Sequence, residues 1–429
     1  MIDTIYALSS GQPPAAVAII RISGPAAGAS LSALTGRIPK SRRATLARLV
    51  DPVSGDVLDH ALVLWFEGPA TATGEDLAEL HLHGGRAVVA RVLATLAALP
   101  GLRSAEPGAF TRRAFENGRI DLAEAEGLAD LLFSETELQR LSAMAMAEGG
   151  LSAQVTAWQE RLLGLSARTE ALLDFSDEGD VDEDLDAGAA LVAGISALAR
   201  EMGDFLNRPS GERLRDGIRV ALAGPPNAGK STLLNALAGR EAAIVSPRAG
   251  TTRDVIEVPL ALGARPFVFI DTAGLHAGSG DEIETIGMER ARGVIDRADI
   301  ILWLDDRGAS PAPDRTITVH ARADLPGRDA APPGTDVIVS AVTGAGMEQL
   351  VGMLTERADM LLPRPGDLAL NARQRALLDA CAVALVGSGN LLIMAENLRI
   401  ARSALDRLTG RAGTEDMLDA LFGRFCIGK

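Results

Sequence analysis

Two classes of residue are scarce in this chain of 429 residues, which has two cysteines and an aromatic content of 3%. Two cysteines, Cys381 and Cys426, cannot build a disulfide framework. The first residues, MIDTIYALSS, lack a basic region followed by an apolar core, so no signal peptide is predicted. The sequence therefore indicates a reducing, cytoplasmic location.

Long apolar runs and an excess of basic residues are also absent. No stretch approaches about 18 uncharged apolar residues, so no membrane span is predicted. The net charge is −15, which argues against a broad basic groove for nucleic acid. Any RNA contact is therefore expected to be a local patch or a surface shared with a partner. The hydrophobic content of 47% is typical of a globular chain, and the length predicts two or three domains.

The chain contains the motif GPPNAGKS, at residues 224–231, which fits the phosphate-loop pattern G-x-x-x-x-G-K-[ST] with no mismatch. An apolar run at 219–223 predicts a buried strand before it, and a helix ending near Gly239 follows. Together they place backbone N–H groups and the positive end of the helix against a triphosphate. Lys230 would reach the outer phosphates, and the Ser231 hydroxyl would hold Mg²⁺.

Two further motifs indicate a GTPase. Asp271 begins the sequence DTAG directly after a predicted strand, where its carboxylate can hold Mg²⁺ through water. The N–H of Gly274 can sense the γ-phosphate. Thr252, in GTTRD at residues 250–254, can complete the Mg²⁺ shell in the GTP state.

The usual guanine signature, N-K-x-D, has an imperfect counterpart in Ala321-Arg322-Ala323-Asp324. Asp324 supplies the carboxylate that accepts from the N–H groups of the base, and the stem of Arg322 can lie over the base as a lysine stem does. The Asn is missing, so either the affinity for GTP is lower or the motif is aligned differently. Ser340-Ala341, after the last strand, can supply a backbone N–H to the base oxygen.

Water activation is the step for which the sequence offers no ready side chain. Leu275 follows DTAG, and an apolar residue cannot orient water. A carboxylate of the next segment is expected to do so, and the candidates are Asp281, Glu282 and Glu284. No arginine finger is evident, and a monovalent cation beside the phosphates, with Asn227 as a ligand, could supply the missing charge.

Periodicity divides the chain into segments of different fold class. The first segment mixes strands with a helix, at residues 17–22, 61–66, 77–82 and 86–99. Helical segments flank a segment in which strands and helices alternate, which predicts a parallel sheet. The predicted domains are 1–117, 118–212, 213–365 and 366–429. If the two helical segments pack together, the nucleotide domain is an insertion in a helical domain.

An acidic run interrupts the first helical segment at residues 174–186. It is either a metal site or a solvated loop between helices. The loop is favoured because acidic runs are usually exposed and repel one another.

The motifs at the two ends of the chain are more specific than those of the nucleotide domain. They are IIRISGP at 19–25, GEDLAELHLHGG at 74–85, GAFTRRAFENGRIDLAEAEGLADL at 108–131, and the terminal CIGK. With them, nearly all of the chain resembles the MnmE (TrmE) family of tRNA wobble-uridine modification GTPases. The resemblance implies an α/β and α+β multidomain fold, with an amino-terminal tetrahydrofolate-binding and dimerisation domain, a split helical domain and an inserted Ras-like G domain.

The resemblance also implies roles for particular residues. GTP would be bound by Asn227, Ala228, Gly229, Lys230, Ser231, Thr232, Ser246, Pro247, Arg248, Ala249, Gly250, Thr251, Thr252, Asp271, Thr272, Ala273, Gly274, Asp324, Ser340 and Ala341. Mg²⁺ would bind Ser231 and Thr252, and K⁺ would bind Asn227, Ser246, Arg248 and Thr251. Glu284 would position water. Folate would be bound by Arg21, Glu79, Arg119 and Lys429, and Cys426 would lie near the one-carbon unit as a nucleophile or in a structural role.

The function implied by the resemblance is that of a K⁺-activated GTP hydrolase in tRNA modification. A homodimer would act with the FAD-dependent partner MnmG, in a heterotetramer, to add a carboxymethylaminomethyl or aminomethyl group at C5 of the wobble uridine. The one-carbon donor would be 5-formyltetrahydrofolate or a related tetrahydrofolate. The competing hypothesis is a GTP-dependent RNA-binding or ribosome-assembly switch, which the motifs at both ends disfavour.

Overall fold

The computed structural model describes residues 3–175, 181–240, 256–271, 292–328, 330–386, 390–412 and 415–429. The chain divides into two units. The first comprises Met1–Ala129, Leu151–Val155 and Leu405–Lys429, and the second comprises Asp130–Gly150 and Thr156–Ala404. The predicted domain boundaries follow the sequence pattern and not this division, and they stay predictions.

The first unit contains a six-stranded sheet in the order β3–β4–β5–β2–β1–β6. The strands are β1 (Thr4–Leu8), β2 (Val17–Ser23), β3 (Thr45–Val50), β4 (Val57–Phe66), β5 (Leu77–His83) and β6 (Leu102–Ser104). Neighbouring strands are antiparallel, apart from the parallel pair β1 and β6. The three strands predicted in this region are therefore confirmed as β2, β4 and β5.

Helices cover one face of this sheet. Alternate residues of β2 and β5, such as Ile20, Ile22 and Leu80, are fully buried in one core with residues of α1 (Ala27–Thr35) and α2 (Arg86–Ala97). Because side chains alternate across a strand, the residues between them, including Arg21 and Glu79, point to the opposite face. Three more helices in this part of the chain are α3 (Ala109–Glu116), α4 (Leu122–Leu132) and the last helix, α13 (Glu415–Phe422).

The second unit contains another six-stranded sheet, in the order β12–β11–β10–β7–β9–β8. The strands are β7 (Ile218–Ala223), β8 (Ile256–Leu262), β9 (Arg265–Asp271), β10 (Ile300–Trp303), β11 (Thr316–His320) and β12 (Val337–Ile338). All neighbouring pairs are parallel except β8 and β9. Helix α9 (Lys230–Arg240) follows β7, α10 (Met347–Leu361) follows β12, and residues 292–297 are also helical. The predicted parallel sheet is thus confirmed.

Further helices precede and follow the second sheet. They are α5 (Glu137–Ala147), α6 (Gly150–Phe175), α7 (Val181–Leu206), α8 (Gly211–Asp216), α11 (Ala372–Val386) and α12 (Leu391–Thr409). Helix α11 packs on α7, where the buried Sγ of Cys381 lies 3.6 Å from the Sδ of Met202. Burial raises the pKa of the Cys381 thiol to about 12. The two helical segments therefore pack together as predicted, and Cys381 is a core residue.

The prediction of a loop over residues 174–186 is wrong at both ends. Helix α6 extends to Phe175, and α7 begins at Val181. Asp and Glu are both tolerated within helices, so an acidic composition does not by itself predict a loop. Residues 176–180 lie outside the described residues. Among the helices that the structure describes, none is long and apolar enough to cross a membrane.

Candidate functional site

The phosphate-loop motif connects the carboxyl end of β7 to the start of α9. Its backbone has positive φ at Gly224 (145°), Asn227 (62°) and Gly229 (100°). At Gly224 a Cβ atom would lie 3.0 Å from the carbonyl carbon of Leu304, so glycine is required both by conformation and by space. The loop therefore turns back over the edge of the sheet before the helix begins.

Lys230, the first residue of α9, is only 3% exposed and points back into this loop. Its Nζ donates to the carbonyl oxygens of Gly224, at 2.7 Å, and Pro225, at 2.9 Å. Burial lowers the pKa of Lys230, and the nearby carboxylate of Asp271 offsets part of this effect. A buried ammonium attracts an anionic ligand, whose oxygens would take the place of these carbonyl oxygens as hydrogen-bond acceptors.

Ser231 and Asp271 meet at the adjoining ends of α9 and β9. The Ser231 hydroxyl donates to Oδ2 of Asp271 at 2.5 Å, and Asp271 is 5% exposed as the last residue of its strand. A hydroxyl and a carboxylate are the hard oxygen ligands that Mg²⁺ prefers. The structure thus brings together Lys230 and Ser231 of the phosphate loop with Asp271 of the DTAG motif, as the sequence predicted from these two motifs.

The loop after β11 carries two of the predicted base-recognition residues, Arg322 and Asp324, and Ser340 follows β12. The hydroxyl of Ser340 donates to Oδ1 of Asp324 at 2.6 Å, and this hydrogen bond is the main reason that the pKa of Asp324 lies below its ordinary value. Arg322 adopts a φ of 61°, and its Nη1 donates to the carbonyl oxygen of Asn227 at 2.7 Å. The sequence assigned Arg322 only to the base, whereas the structure also ties it to the phosphate loop.

The remaining predicted nucleotide residues fall into two groups. Ala228 and Thr232 belong to the loop and to the first turn of α9, and Ala341 follows Ser340 after β12. Several predicted residues lie outside the described residues, namely Ser246, Pro247, Arg248, Ala249, Gly250, Thr251, Thr252, Thr272, Ala273, Gly274 and Glu284. Their roles stay predictions.

A second set of predicted residues lies on the face of the amino-terminal sheet opposite α1 and α2, part of which Phe110 of α3 covers. Arg21 of β2 is paired directly with Glu79 of β5, and its Nη2 lies 3.0 Å from Glu79 Oε1. The other oxygen of Glu79, Oε2, lies 3.3 Å from Nε2 of His81. The guanidinium of Arg21 also lies over the ring of Phe110, 5.8 Å from its centre. Arg21 and Glu79 therefore form an ion pair in a partly buried setting.

The carboxyl terminus reaches the same region. The backbone N–H of Phe110 donates to the carbonyl oxygen of Lys429 at 3.3 Å. Cys426 is exposed. Arg119 contacts a different segment, since its Nε donates to the carbonyl oxygen of Thr71 at 3.1 Å. The structure thus connects Arg21, Glu79 and Lys429 through Phe110, and it gives Arg119 a separate contact.

Sequence reasoning missed Arg113, which the structure places at the centre of an ion-pair network. Its guanidinium donates to Asp3 Oδ1 at 2.6 Å, to Glu75 Oε2 at 2.9 Å and to the carbonyl oxygen of Ser23 at 3.1 Å. The three residues Asp3, Glu75 and Arg113 line one side of a 760 Å³ cavity in the first unit. The neighbouring Arg112 has the same sequence context, so no signal in the sequence distinguished the two.

Two family models match the chain. The model of the "GTP-binding protein TrmE N-terminus" matches residues 4–119, and the model of the "MnmE helical domain" matches residues 122–426. The tRNA modification GTPases MnmE of Erythrobacter litoralis and Rhizorhabdus wittichii are each 60% identical to this chain. Each alignment covers all of this chain, with 100% of the first relative and 97% of the second. The chain belongs to the MnmE family. The helical family model spans the nucleotide-binding sheet, so the G domain is inserted in the sequence of the helical domain.

A solved structure, the G domain of the FeoB iron transporter of T. maritima, is also similar. It is 26% identical, and the alignment covers 33% of this chain and 98% of that one. The TM-score is 0.25, so this structural similarity carries no argument. The fold classes predicted from the sequence are thus confirmed through the two family models and the two sheets.

Proposed function

We propose that this chain is a GTP hydrolase that acts in the modification of tRNA. The observation that carries the proposal is the convergence of Lys230, Ser231 and Asp271 at one edge of a parallel sheet. Asp324 lies in the loop after β11, whose carboxyl end belongs to the same edge, and supplies the carboxylate for guanine. Catalysis in such sites consists mainly of holding the phosphates and stabilising their charge. The Ser231 and Asp271 oxygens would hold Mg²⁺, which would neutralise charge on the outer phosphates.

We further propose that K⁺ activates hydrolysis, with Asn227 among its ligands and Glu284 holding the attacking water. The positive φ of Asn227 presents this residue at the turn of the phosphate loop, and Leu275 leaves no side chain that could orient water. A cation next to the phosphates would act on charge that develops in the transition state.

The test of this proposal compares GTP turnover and GTP affinity in K⁺ and in Na⁺. Na⁺ should slow turnover by roughly 100-fold, as for the loss of one charge-stabilising group, with little change in affinity. Asn227→Gly removes the amide oxygen but tolerates the left-handed backbone, so it should abolish the difference between the two salts. Equal turnover of the unaltered protein in both salts would remove the K⁺ proposal.

We propose that the face of the amino-terminal sheet that carries Arg21 and Glu79 binds a tetrahydrofolate, such as 5-formyltetrahydrofolate, as one-carbon donor. Glu79 could accept from the N–H groups of a pterin ring, and the cations Arg21, Arg119 and Lys429 would interact with an anionic tail. Arg21→Ala should weaken folate binding by about 10- to 100-fold, as expected for a charge-assisted hydrogen bond. The exposed Arg37 of the same unit provides the matched control, Arg37→Ala, which should bind normally. Absence of folate binding by the unaltered chain would refute the proposal.

We also propose a homodimer that associates with MnmG and acts on tRNA. Residues 37–50 contain five basic and no acidic residues in an acidic protein. Four of them, Arg37, Lys40, Arg43 and Arg48, are exposed and form no ion pair within the described part of the chain. This is the kind of local basic patch that RNA phosphates require. Sedimentation of the chain alone, with MnmG and with tRNA would test the three associations, each of which predicts a larger particle.

A further inference from the structure

Side chains outside the N-K-x-D-like motif hold the loop that carries Asp324. Arg328, at the end of this loop, donates through Nε to the carbonyl oxygen of Ala321 at 2.9 Å. Its Nη2 donates to Oδ2 of Asp306 at 2.7 Å. Asp306 follows β10, the strand next to β11 in the sheet. One guanidinium therefore connects the first residue of the loop to the segment that follows the neighbouring strand.

His320 completes this network from the end of β11. It is 3% exposed, and it directly precedes Ala321. Its Nδ1 lies 2.8 Å from Oδ1 of Asp306, and its Nε2 lies 3.1 Å from the carbonyl oxygen of Arg328. Asp306 thus engages His320 with one oxygen and Arg328 with the other. Burial tends to raise the pKa of Asp306, but hydrogen bonds and charge from His320 and Arg328 outweigh burial and hold it below its ordinary value.

On the opposite side of the loop, Ala321 faces the phosphate loop without a polar group. A Cβ atom built at Gly229 would lie 3.9 Å from Cβ of Ala321. An Asn side chain at position 321 would therefore start beside the phosphate loop, where it could hydrogen-bond to that loop. In this chain the alanine methyl makes no such bond, and the described tie across this gap is the one from Arg322 to Asn227.

We propose that Asp306, His320 and Arg328 are positioning residues that replace the missing Asn of the guanine-recognition motif. They hold the loop from the β10 side, whereas the Asn would hold it from the side of the phosphate loop. The inference rests on the proposed function, because it assumes that Asp324 recognises guanine. If the loop is correctly placed in only a fraction of the molecules, the apparent affinity for the ligand is reduced by that fraction.

The experiment measures GDP and ADP affinity by fluorescence for Arg328→Met in two backgrounds, the unaltered chain and Ala321→Asn. Arg328 is one-third exposed, so its replacement is compatible with folding. If one molecule in ten keeps the loop in place, Arg328→Met should weaken GDP binding about ten-fold. Ala321→Asn should restore most of this loss, because it provides the alternative tie. Arg307→Met, at an exposed arginine near Asp306, is the matched control and should leave the affinity unchanged.

Two results would overturn the inference. One is an affinity for GDP in Arg328→Met equal to that in Arg307→Met. The other is a loss that Ala321→Asn does not reduce, together with an equal fall in Tm in both backgrounds, which would indicate general destabilisation. His320→Gln is a second route to the same network and should show the same rescue. If the unaltered chain does not prefer GDP to ADP, the proposed function itself fails and the inference fails with it. A retained preference without rescue rejects the network alone.

Discussion

The two six-stranded sheets of this protein carry their candidate sites in different places. In the amino-terminal sheet, which is mainly antiparallel, Arg21 and Glu79 are neighbours on adjacent strands and lie on the face opposite α1 and α2. In the mainly parallel second sheet, Lys230, Ser231 and Asp271 lie at the carboxyl edge, where loops leave the strands. The ends of parallel strands commonly form ligand sites in α/β proteins. One chain thus provides two candidate sites, a face site at Arg21 and Glu79 and an edge site at Lys230, Ser231 and Asp271.

Different interactions hold the residues of the two sites in place. The register of β2 against β5 fixes the pair Arg21 and Glu79, since a shift of one residue would turn both side chains to the other face. At the edge of the second sheet no strand register fixes the loops. Positive φ angles, such as that of Gly229, and side-chain hydrogen bonds such as that of Arg322 to Asn227 hold them. We therefore expect the face site to depend on backbone packing and the edge site to depend on individual side chains.

We expect the largest loss of stability from a substitution in the carboxyl-terminal segment. This segment is not a strand, but the face site depends on it. Gly428 has a φ of 92°, and a Cβ there would lie 2.3 Å from the carbonyl oxygen of Leu8 on β1. Gly428→Ala should therefore displace the segment that brings Lys429 to Phe110 and weaken folate binding. The strained φ and the backbone clash together should cost about 3 kcal/mol or more in free energy of unfolding, measured in denaturant.

Gly101→Ala is the matched control in the same unit. Gly101 has a φ of 78° but no atom within 4 Å of an added Cβ. Its replacement by alanine should lower the free energy of unfolding by about 1 kcal/mol, because of the backbone conformation alone, and should leave folate affinity unchanged. Equal losses of stability for the two variants would mean that the terminal segment moves without cost. The face site would then not depend on backbone packing at Gly428.

The sequence predicted the edge site better than the face site. A phosphate loop is a local motif, so Lys230 and Ser231 could be assigned without knowledge of the fold. Arg21 and Glu79 are far apart in the chain, and only the resemblance to a family connected them. Strand β3 was not predicted because its leucines, Leu46 and Leu49, are three positions apart and lie on opposite faces, the first 72% exposed and the second fully buried. Apolar residues therefore occur on both faces, and the two-residue period is lost.

The network of Asp306, His320 and Arg328 could not be predicted for a related reason. The sequence indicated that the Asn was missing at Ala321, but it gave no sign of what compensates. The three residues are brought together by two adjacent strands and by the turn of the loop that ends at Arg328. Such contacts depend on tertiary structure and have no fixed spacing in the chain.

The carboxylates of Asp51 and Asp324 allow a further comparison of the two sheets, through smaller changes in the free energy of unfolding. Asp51 lies in the turn between β3 and β4, where Oδ1 accepts from the backbone N–H of Val53 at 2.9 Å and of Ser54 at 3.3 Å. These two hydrogen bonds, and the charge of Arg91, hold the pKa of Asp51 below its ordinary value. The pKa of Asp324 in the second sheet is lowered mainly by the Ser340 hydroxyl. The Asp51 carboxylate thus supports a turn of the fold, whereas the Asp324 carboxylate is proposed to support a ligand.

Asp51→Asn should lower the free energy of unfolding at pH 7 by a small amount, because it removes the ion pair with Arg91. Asp324→Asn should lower it less, because an amide oxygen can still accept the hydrogen bond from the Ser340 hydroxyl. Because the pKa of Asp51 is depressed in the folded state, its carboxylate stabilises the fold above the unfolded pKa of about 3.9. This contribution is lost as the pH falls through the folded pKa, so the difference between the unaltered chain and Asp51→Asn should shrink below about pH 4. Denaturant unfolding at pH 7, 5 and 3.5 checks this.

Asp324→Asn should instead lower the preference for GTP over XTP, since an amide can donate to the additional oxygen of xanthine. A stability loss in Asp324→Asn equal to that in Asp51→Asn would contradict the division of roles between the two carboxylates.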